Sequence, residues 1–488
     1  MTPVAWPLLA AFGMALLPLL VAPLAWMWPA VARVAGLATS GAMLGLGLAV
    51  AAGVDVHGPL TLTLGGWPGT LGIGVRLDGM AAAFLLLGAV VGGGAGIHAA
   101  SYFGRGEAFW PLWLLLWSAL NAVFLSADAF NAYVTLELLS LVAVALVALQ
   151  GGREALSAAL RYLLMALAAA IAYLAGVAVL YARDGTLALD ALGPVAGDPL
   201  AAVAAGLILV GLAVKAALFP LHTWLPPAHA RAPGPVSALL SALVVKGAIY
   251  LVWRWQVEVF GAPPGPGAVL GVLGGGAVLW GSWRALTVPR LKAIVAYSTV
   301  AQMGYLAVAL ALVSGALAVG GASGAVSEEK ARAGFVYLAL SHGLAKGAAF
   351  LAAANVLYAA GHDRWPSAAG VLRGRPLTLL AFGLAAVTLA GLPPSGGFLA
   401  KWYLLMAAVG SAQWWAAITL LLGGLLAAAY LYRIIHPGLD PRSPRGEQRA
   451  PSRAMEWAAL GLALLGLLIG LWLPWGDSLL MLSGGGGG

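Results

Sequence analysis

The chain has 488 residues, is 62% hydrophobic and only 9% charged, carries a formal net charge of +8 and contains no cysteine. Its mean hydropathy is +0.95. A soluble domain of this length could not cover so much apolar surface, so the chain is a polytopic membrane protein. The continuous apolar runs exclude a membrane β-barrel, whose strands alternate, and the missing cysteines exclude disulfides, thiolate iron–sulfur ligation and Cys-based zinc sites. The positive charge is no nucleic-acid signal, because the basic residues are spread over loops.

A spanning helix needs about 20 apolar residues. Read in chain order, the sequence predicts fourteen spans, near 5–28, 30–52, 78–100, 108–126, 128–149, 155–182, 201–219 with an extension to 231, 235–257, 266–285, 292–314, 332–359, 378–408, 412–435 and 455–480. The first run follows an uncharged N-terminus without a clear small-residue cleavage site and reads as a retained helix. Residues 53–77 are turn-rich and β-like, and predict an extramembrane hairpin; residues 437–455 form the most polar loop. Sixteen Lys and Arg residues fall in loops opposite the termini, against five on the termini's own side. The positive-inside rule then predicts both termini on the extracytoplasmic side; the membrane expected is a prokaryotic cytoplasmic one.

Two spans are interrupted. The seventh carries Lys215, then Pro220, His222, Pro226 and Pro227; the twelfth carries Pro393, Pro394, Gly396 and Gly397, then Lys401. Proline inside a helix removes a hydrogen bond and clashes with the preceding turn. Such backbone is tolerated at membrane depth only where protein or a watery cavity surrounds it. The breaks lie five spans apart, which predicts two inverted five-helix repeats. The expected divisions are 1–107 (helices 1–3 and the hairpin), 108–260 and 261–436 (the repeats), and 437–488 (polar loop and helix 14). The repeat is also expected to place Lys215 and Lys401 at equivalent points of opposite halves.

Four of the six lysines, Lys215, Lys246, Lys346 and Lys401, lie inside apolar spans, as does Glu137. Each charge at the bilayer centre costs about 2.5–3.5 kcal/mol on insertion scales. Unpaired, four lysines would cost on the order of 10 kcal/mol, so they point to ion or proton movement rather than packing. His342 and Lys346 are four residues apart and share a helix face, and histidine is the side chain that titrates nearest neutrality. His222 and His229 flank the first break without a nearby carboxylate or an HExxH pattern, so no metal site is expected there. His57, His98, His362 and His436 read as loop or interface residues. The tryptophans are expected near span ends, and the GGGAG at 92–96 reads as close helix packing rather than a nucleotide loop.

Several segments resemble a known family. FPLHTWLPPAHARAPGPVSALLSALVVKGAIY at 219–250, LKAIVAYSTVAQMGY at 291–305, SHGLAKGAAFL at 341–351 and GLPPSGGFLAKW at 391–402 are similar to signatures of the antiporter-like family. This family comprises the large proton-pumping membrane subunits of respiratory complex I, the A-type and D-type subunits of Mrp antiporters, and membrane-bound hydrogenase subunits. The resemblance covers about residues 70–435. It implies a fourteen-helix fold in which Glu137 pairs with Lys215, Lys246 is the central relay, and His342 and Lys346 lead toward Lys401. Pro227 replaces an acidic residue often found there, and Pro289–Arg290 precedes Leu291 where the family often has an aspartate. Lys401 argues against the complex I subunit that carries glutamate at that point, and the PVSALLSALVVK wording is most similar to the D-type Mrp subunit and its hydrogenase relatives. The implied function is a proton-translocating subunit of a multi-subunit Mrp-type antiporter or a related redox-driven pump. The alternatives are a complex I membrane subunit and a stand-alone solute transporter. The implied partners are other membrane subunits and protons, with Na⁺ left open; no cofactor is implied, and any oxidoreductase activity would belong to the assembled complex.

Overall fold

The computed structural model describes residues 5–64, 72–104, 108–193, 195, 197–365, 367–440 and 449–471. Nearly every apolar run forms a helix, because backbone polar groups in lipid must be satisfied within their own segment. The helices are α1 (Ala5–Met27), α2 (Pro29–His57), α3 (Gly79–Tyr102), α4 (Phe109–Leu125), α5 (Ala129–Ala148), α6 (Gly152–Asp184), α7 (Pro199–Lys215), α8 (Leu225–Arg231), α9 (Gly234–Leu239), α10 (Val245–Trp253), α11 (Pro264–Thr287), α12 (Leu291–Val319), α13 (Gly321–Ala360), α14 (Gly370–Gly374), α15 (Pro376–Ala390), α16 (Gly396–Gly410), α17 (Trp414–Leu439) and α18 (Arg453–Leu468). α9 and α10 form one buried helix, Gly234–Val259, with π-helical turns at Leu240–Val244 and Arg254–Val259. Counting α7–α8, α9–α10 and α15–α16 as single spans and α14 as a connector, the spans follow the fourteen expected from the sequence. Residues 472–480 of the last one lie outside the described residues, as do 441–448 of the polar loop.

The predicted hairpin region is shorter than expected, because α2 runs on through 53–57 to His57; its connection at 65–71 lies outside the described residues. β1 (Leu60–Leu64) pairs antiparallel with β2 (Ile73–Leu77), in register from Leu60↔Leu77 to Leu64↔Ile73. It docks on the α4–α5 turn through Ala127 N–H to Gly74 O (3.0 Å) and Gly74 N–H to Asp128 Oδ2 (3.2 Å). Four charges fix its base. Arg254 forks onto both oxygens of fully buried Asp78 (2.7 Å each), while Arg76 reaches Asp78 (2.9 Å) and Glu258 (3.1 Å).

Helices sort by what they carry. In the most apolar 18 residues of each, 100% of α9–α10, 94% of α13 and 89% of α12 are buried, against 28% for α1 and 33% for α17. The central helices carry the intramembrane Lys246, His342 and Lys346; the peripheral ones turn large apolar side chains outward, as a lipid solvent favours. GGGAG serves packing, as expected: a Cβ on Gly92 would lie 2.7 Å from Trp113 and 2.8 Å from Trp117. Trp113, Trp117, Trp224, Trp253 and Trp255 are fully buried. One expectation fails. His98 is neither loop nor interface: it is fully buried, and its Nε2 meets Asn355 Oδ1 at 3.0 Å. Asn355 and buried Glu456 both bond Thr378, so the helix packing of α3, α13, α15 and α18 encloses one polar chain that the separate spans did not announce.

Candidate functional site

Both breaks fall where the prolines predict. α7 ends at Lys215, and a turn through Pro220 and a 3₁₀ segment (Leu221–Trp224) lead to α8, with Pro226 in its first turn. α15 ends at Ala390, Gly391 takes φ +80°, and Pro393 and Pro394 precede α16, which Ser395 caps by accepting from Phe398 N–H (3.2 Å). Phe219–Pro220 and Pro393–Pro394 are cis. Gly396 and Gly397 open α16; a Cβ on Gly397 would lie 1.9 Å from Thr388 O, so glycine lets the half-helices overlap closely.

A broken helix frees carbonyls that need donors. At the first break Val214 O accepts from the Trp224 indole (2.8 Å) and Ala213 O from Leu218 N–H (3.0 Å). At the second, Leu389 O and Ala390 O accept from Lys401 Nζ (3.2 and 2.8 Å), and Leu389 O also accepts from Gln302 (2.9 Å). Lys401 lies over the Tyr305 ring at 4.6 Å. As the sequence order implies, Lys215 precedes its break and Lys401 follows its own. What matches is electrostatic. Lys215 lies in the last turn of α7, and the Lys401 ammonium meets the last carbonyls of α15, the helix end where a cation is favoured.

The remaining predicted residues form separate stations. Glu137 Oε2 accepts from Lys215 Nζ at 2.9 Å, and Ser140 Oγ accepts at 2.8 Å. Lys246, fully buried, donates to Ser241 O at 2.9 Å and is in short contact with His342 Nδ1. Lys346, also fully buried, donates to Val295 O (2.8 Å) and contacts Ser298 Oγ closely. Lys401 is partly exposed in the isolated chain. Among the described residues, no hydrogen bond joins Lys215 to Lys246 or His342 to Lys346, and His342 Nε2 is buried with no partner. His222 stacks on Phe219 at the first break (5.7 Å between ring centroids) and bonds none of the lysines. His229 is fully buried against Phe350 (4.6 Å). Among the described residues no group of three or more His, Cys, Asp or Glu could hold a metal.

Sequence reading missed the polar side chains of α12. Ser298, Thr299 and Gln302 are buried there: Ser298 meets Lys346, Thr299 meets Ser241 Oγ (2.7 Å), and Gln302 shares a carbonyl with Lys401. The signal was a polar S-T-x-x-Q cluster in the middle of an apolar span. Ser140, three residues beyond Glu137, carried the same kind of signal.

The sequence profile of the family described as NADH:quinone oxidoreductase/Mrp antiporter, TM matches residues 126–427. This chain belongs to that family. It is 35% identical over 438 residues to NADH-quinone oxidoreductase subunit N of Desulforudis audaxviator, covering 86% of this chain and 84% of that one. It is 28% identical over 411 residues to the D-type subunit of the Na(+)/H(+) antiporter of Alkalihalophilus pseudofirmus, covering 82% and 80%. Its fold is similar to a chain of the Mrp complex from Dietzia sp., with a TM-score of 0.86 at 26% identity over 99% of this chain and 97% of that one. The matched region includes both breaks and every station, so the site lies within the part that defines the family.

Proposed function

We propose that the chain is the proton-translocating, antiporter-like subunit of a multi-subunit Mrp-type cation/proton antiporter or a related redox-driven pump. One observation carries this reading: of four lysines within apolar spans, Lys215, Lys246 and Lys346 are buried, and all four have hydrogen-bonding partners. Proton hopping needs hydrogen-bonded contact. In this reading the Glu137–Lys215 pair opens and Lys215 passes a proton toward Lys246. Lys246 exchanges with His342 through Nδ1, and the unpartnered Nε2 of His342 leads on toward Lys346. Ser298 and Gln302 then line the way to Lys401. Ordered water would join the stations that have no direct hydrogen bond.

The same reading takes residues 108–260 and 261–436 as inverted repeats, flanked by 1–107 and 437–488. It places the arginine-rich loops in the cytoplasm, both termini outside, and the chain in a prokaryotic cytoplasmic membrane beside other membrane subunits. The 35% identity to a subunit N supports a second reading, a complex I membrane subunit; purifying the tagged chain and identifying co-purifying subunits separates the two. A solute transporter fits the breaks but gives four lysines within apolar spans no task.

The test is Lys246→Ala. Proton transport in inverted vesicles should fall to background while the protein inserts and folds, because removing a buried charge relieves desolvation. Transport at the unsubstituted rate would refute the mechanism.

A further inference from the structure

On the arginine-rich face, away from the lysine stations, a cleft of about 410 Å³ opens between the start of α6, the end of α8 and the residue preceding α12. Arg153, Arg161, Arg231 and Arg290 line it, with Glu154 and Ser157. Glu154 takes up one charge, accepting from Arg231 at 2.5 Å, and Arg290 reaches Asp363 only at 4.0 Å. Among the described residues, Arg153 and Arg161 have no carboxylate partner. The first turn of α6 adds its own N–H groups, because Gly151 at its cap offers no side-chain acceptor.

A second observation lies beside the cleft. Directly along α6, Leu156, Leu160, Leu164, Leu167 and Ile171 are 55%, 54%, 59%, 40% and 71% exposed. Their spacing of four, four, three and four residues puts them on one helix face, an apolar ridge that runs along α6 away from its cleft-lining first turns. A cationic cleft at the surface joined to a lipid-facing ridge is complementary to a molecule with an anionic head and apolar tails.

We propose that the cleft binds the phosphate of an anionic glycerophospholipid, whose acyl chains lie along the Leu156–Ile171 ridge. Guanidinium forks suit phosphate oxygens, and basic pockets at the membrane surface recognise such heads. The lipid would tie α6 to α8, the second half of the first broken helix. This gives the surface arginines a task independent of proton transfer.

The experiment uses the full purified chain, delipidated in detergent and titrated with phosphatidylglycerol, phosphatidylcholine or inorganic phosphate, with occupancy read by native mass spectrometry. One phosphatidylglycerol should be retained per chain in preference to phosphatidylcholine. Arg153→Gln/Arg161→Gln should weaken its binding about 30-fold, as expected for losing two basic contacts at a membrane surface. Leu160→Gln/Leu164→Gln should weaken it too. If the double arginine variant does not fold, each single substitution serves and should weaken binding by about half of that effect on a logarithmic scale. Equal retention of phosphatidylcholine, binding unchanged by the arginine variants, or inorganic phosphate displacing the lipid with the ridge variant silent would each overturn the proposal, the last in favour of a soluble anion.

Discussion

Glu137→Gln should strand the Lys215 ammonium inside the bundle. In the native pair the charged atoms lie 2.9 Å apart, with the side chains 6% (Lys215) and 14% (Glu137) exposed. At an effective dielectric of about 20, unit charges at that distance attract by about 6 kcal/mol. Desolvation of the two ions cancels much of this, so the pair adds little net stability, yet removing one partner costs about 3–5 kcal/mol. Lys215→Ala should cost about the same, because it leaves the Glu137 carboxylate unpaired. The double variant has no charge to strand and should lose no more than the worse single one, a coupling of about 3 kcal/mol. The assay is a double-mutant cycle on denaturation in detergent, followed by tryptophan fluorescence. Trp224, stacked on Tyr162 and bonded to Val214 O beside Lys215, is placed to report the opening. The same cycle on proton transport in vesicles should be as non-additive. Additivity to within about 0.5 kcal/mol would show that the contact carries no energy and that the pair is not a working unit.

Other perturbations test the rest of the structure. His342→Ala should cut proton transport at least tenfold in the same vesicles, with unfolding little changed, since it removes the ring between Lys246 and the Lys346 side while keeping both lysines; unchanged transport would remove His342 from the path. Arg254→Gln should cost about 1.5–3 kcal/mol in unfolding by leaving buried Asp78 with only Arg76 and the Ala81 N–H as partners. Arg254→Lys should recover only part of this, because one ammonium cannot span both Asp78 oxygens; full recovery would refute the forked contact as its cause.

Much of this protein was written along the chain. Fourteen apolar runs separated by turn and basic residues fix an all-helical membrane protein, since each helix satisfies its own backbone. Pro220, Pro226, Pro393 and Pro394 locate both breaks because proline's effect on a helix is local. Glu137 and the four lysines were legible by exclusion: a charge amid apolar residues is costly wherever the helix sits. The partners were not legible. Among the described residues Lys401 has no acid partner; the carbonyls of Leu389 and Ala390, which satisfy it, are free only because α15 ends there and α16 folds back beside it. Ser298, Thr299 and Gln302 gained their places by packing α12 against α9–α10 and α13, and His98 left its presumed surface because α3 packs against α13. A single span's sequence records what its residues cost in lipid. Which helix faces which, and therefore which neighbour offsets that cost, is decided only when the bundle closes.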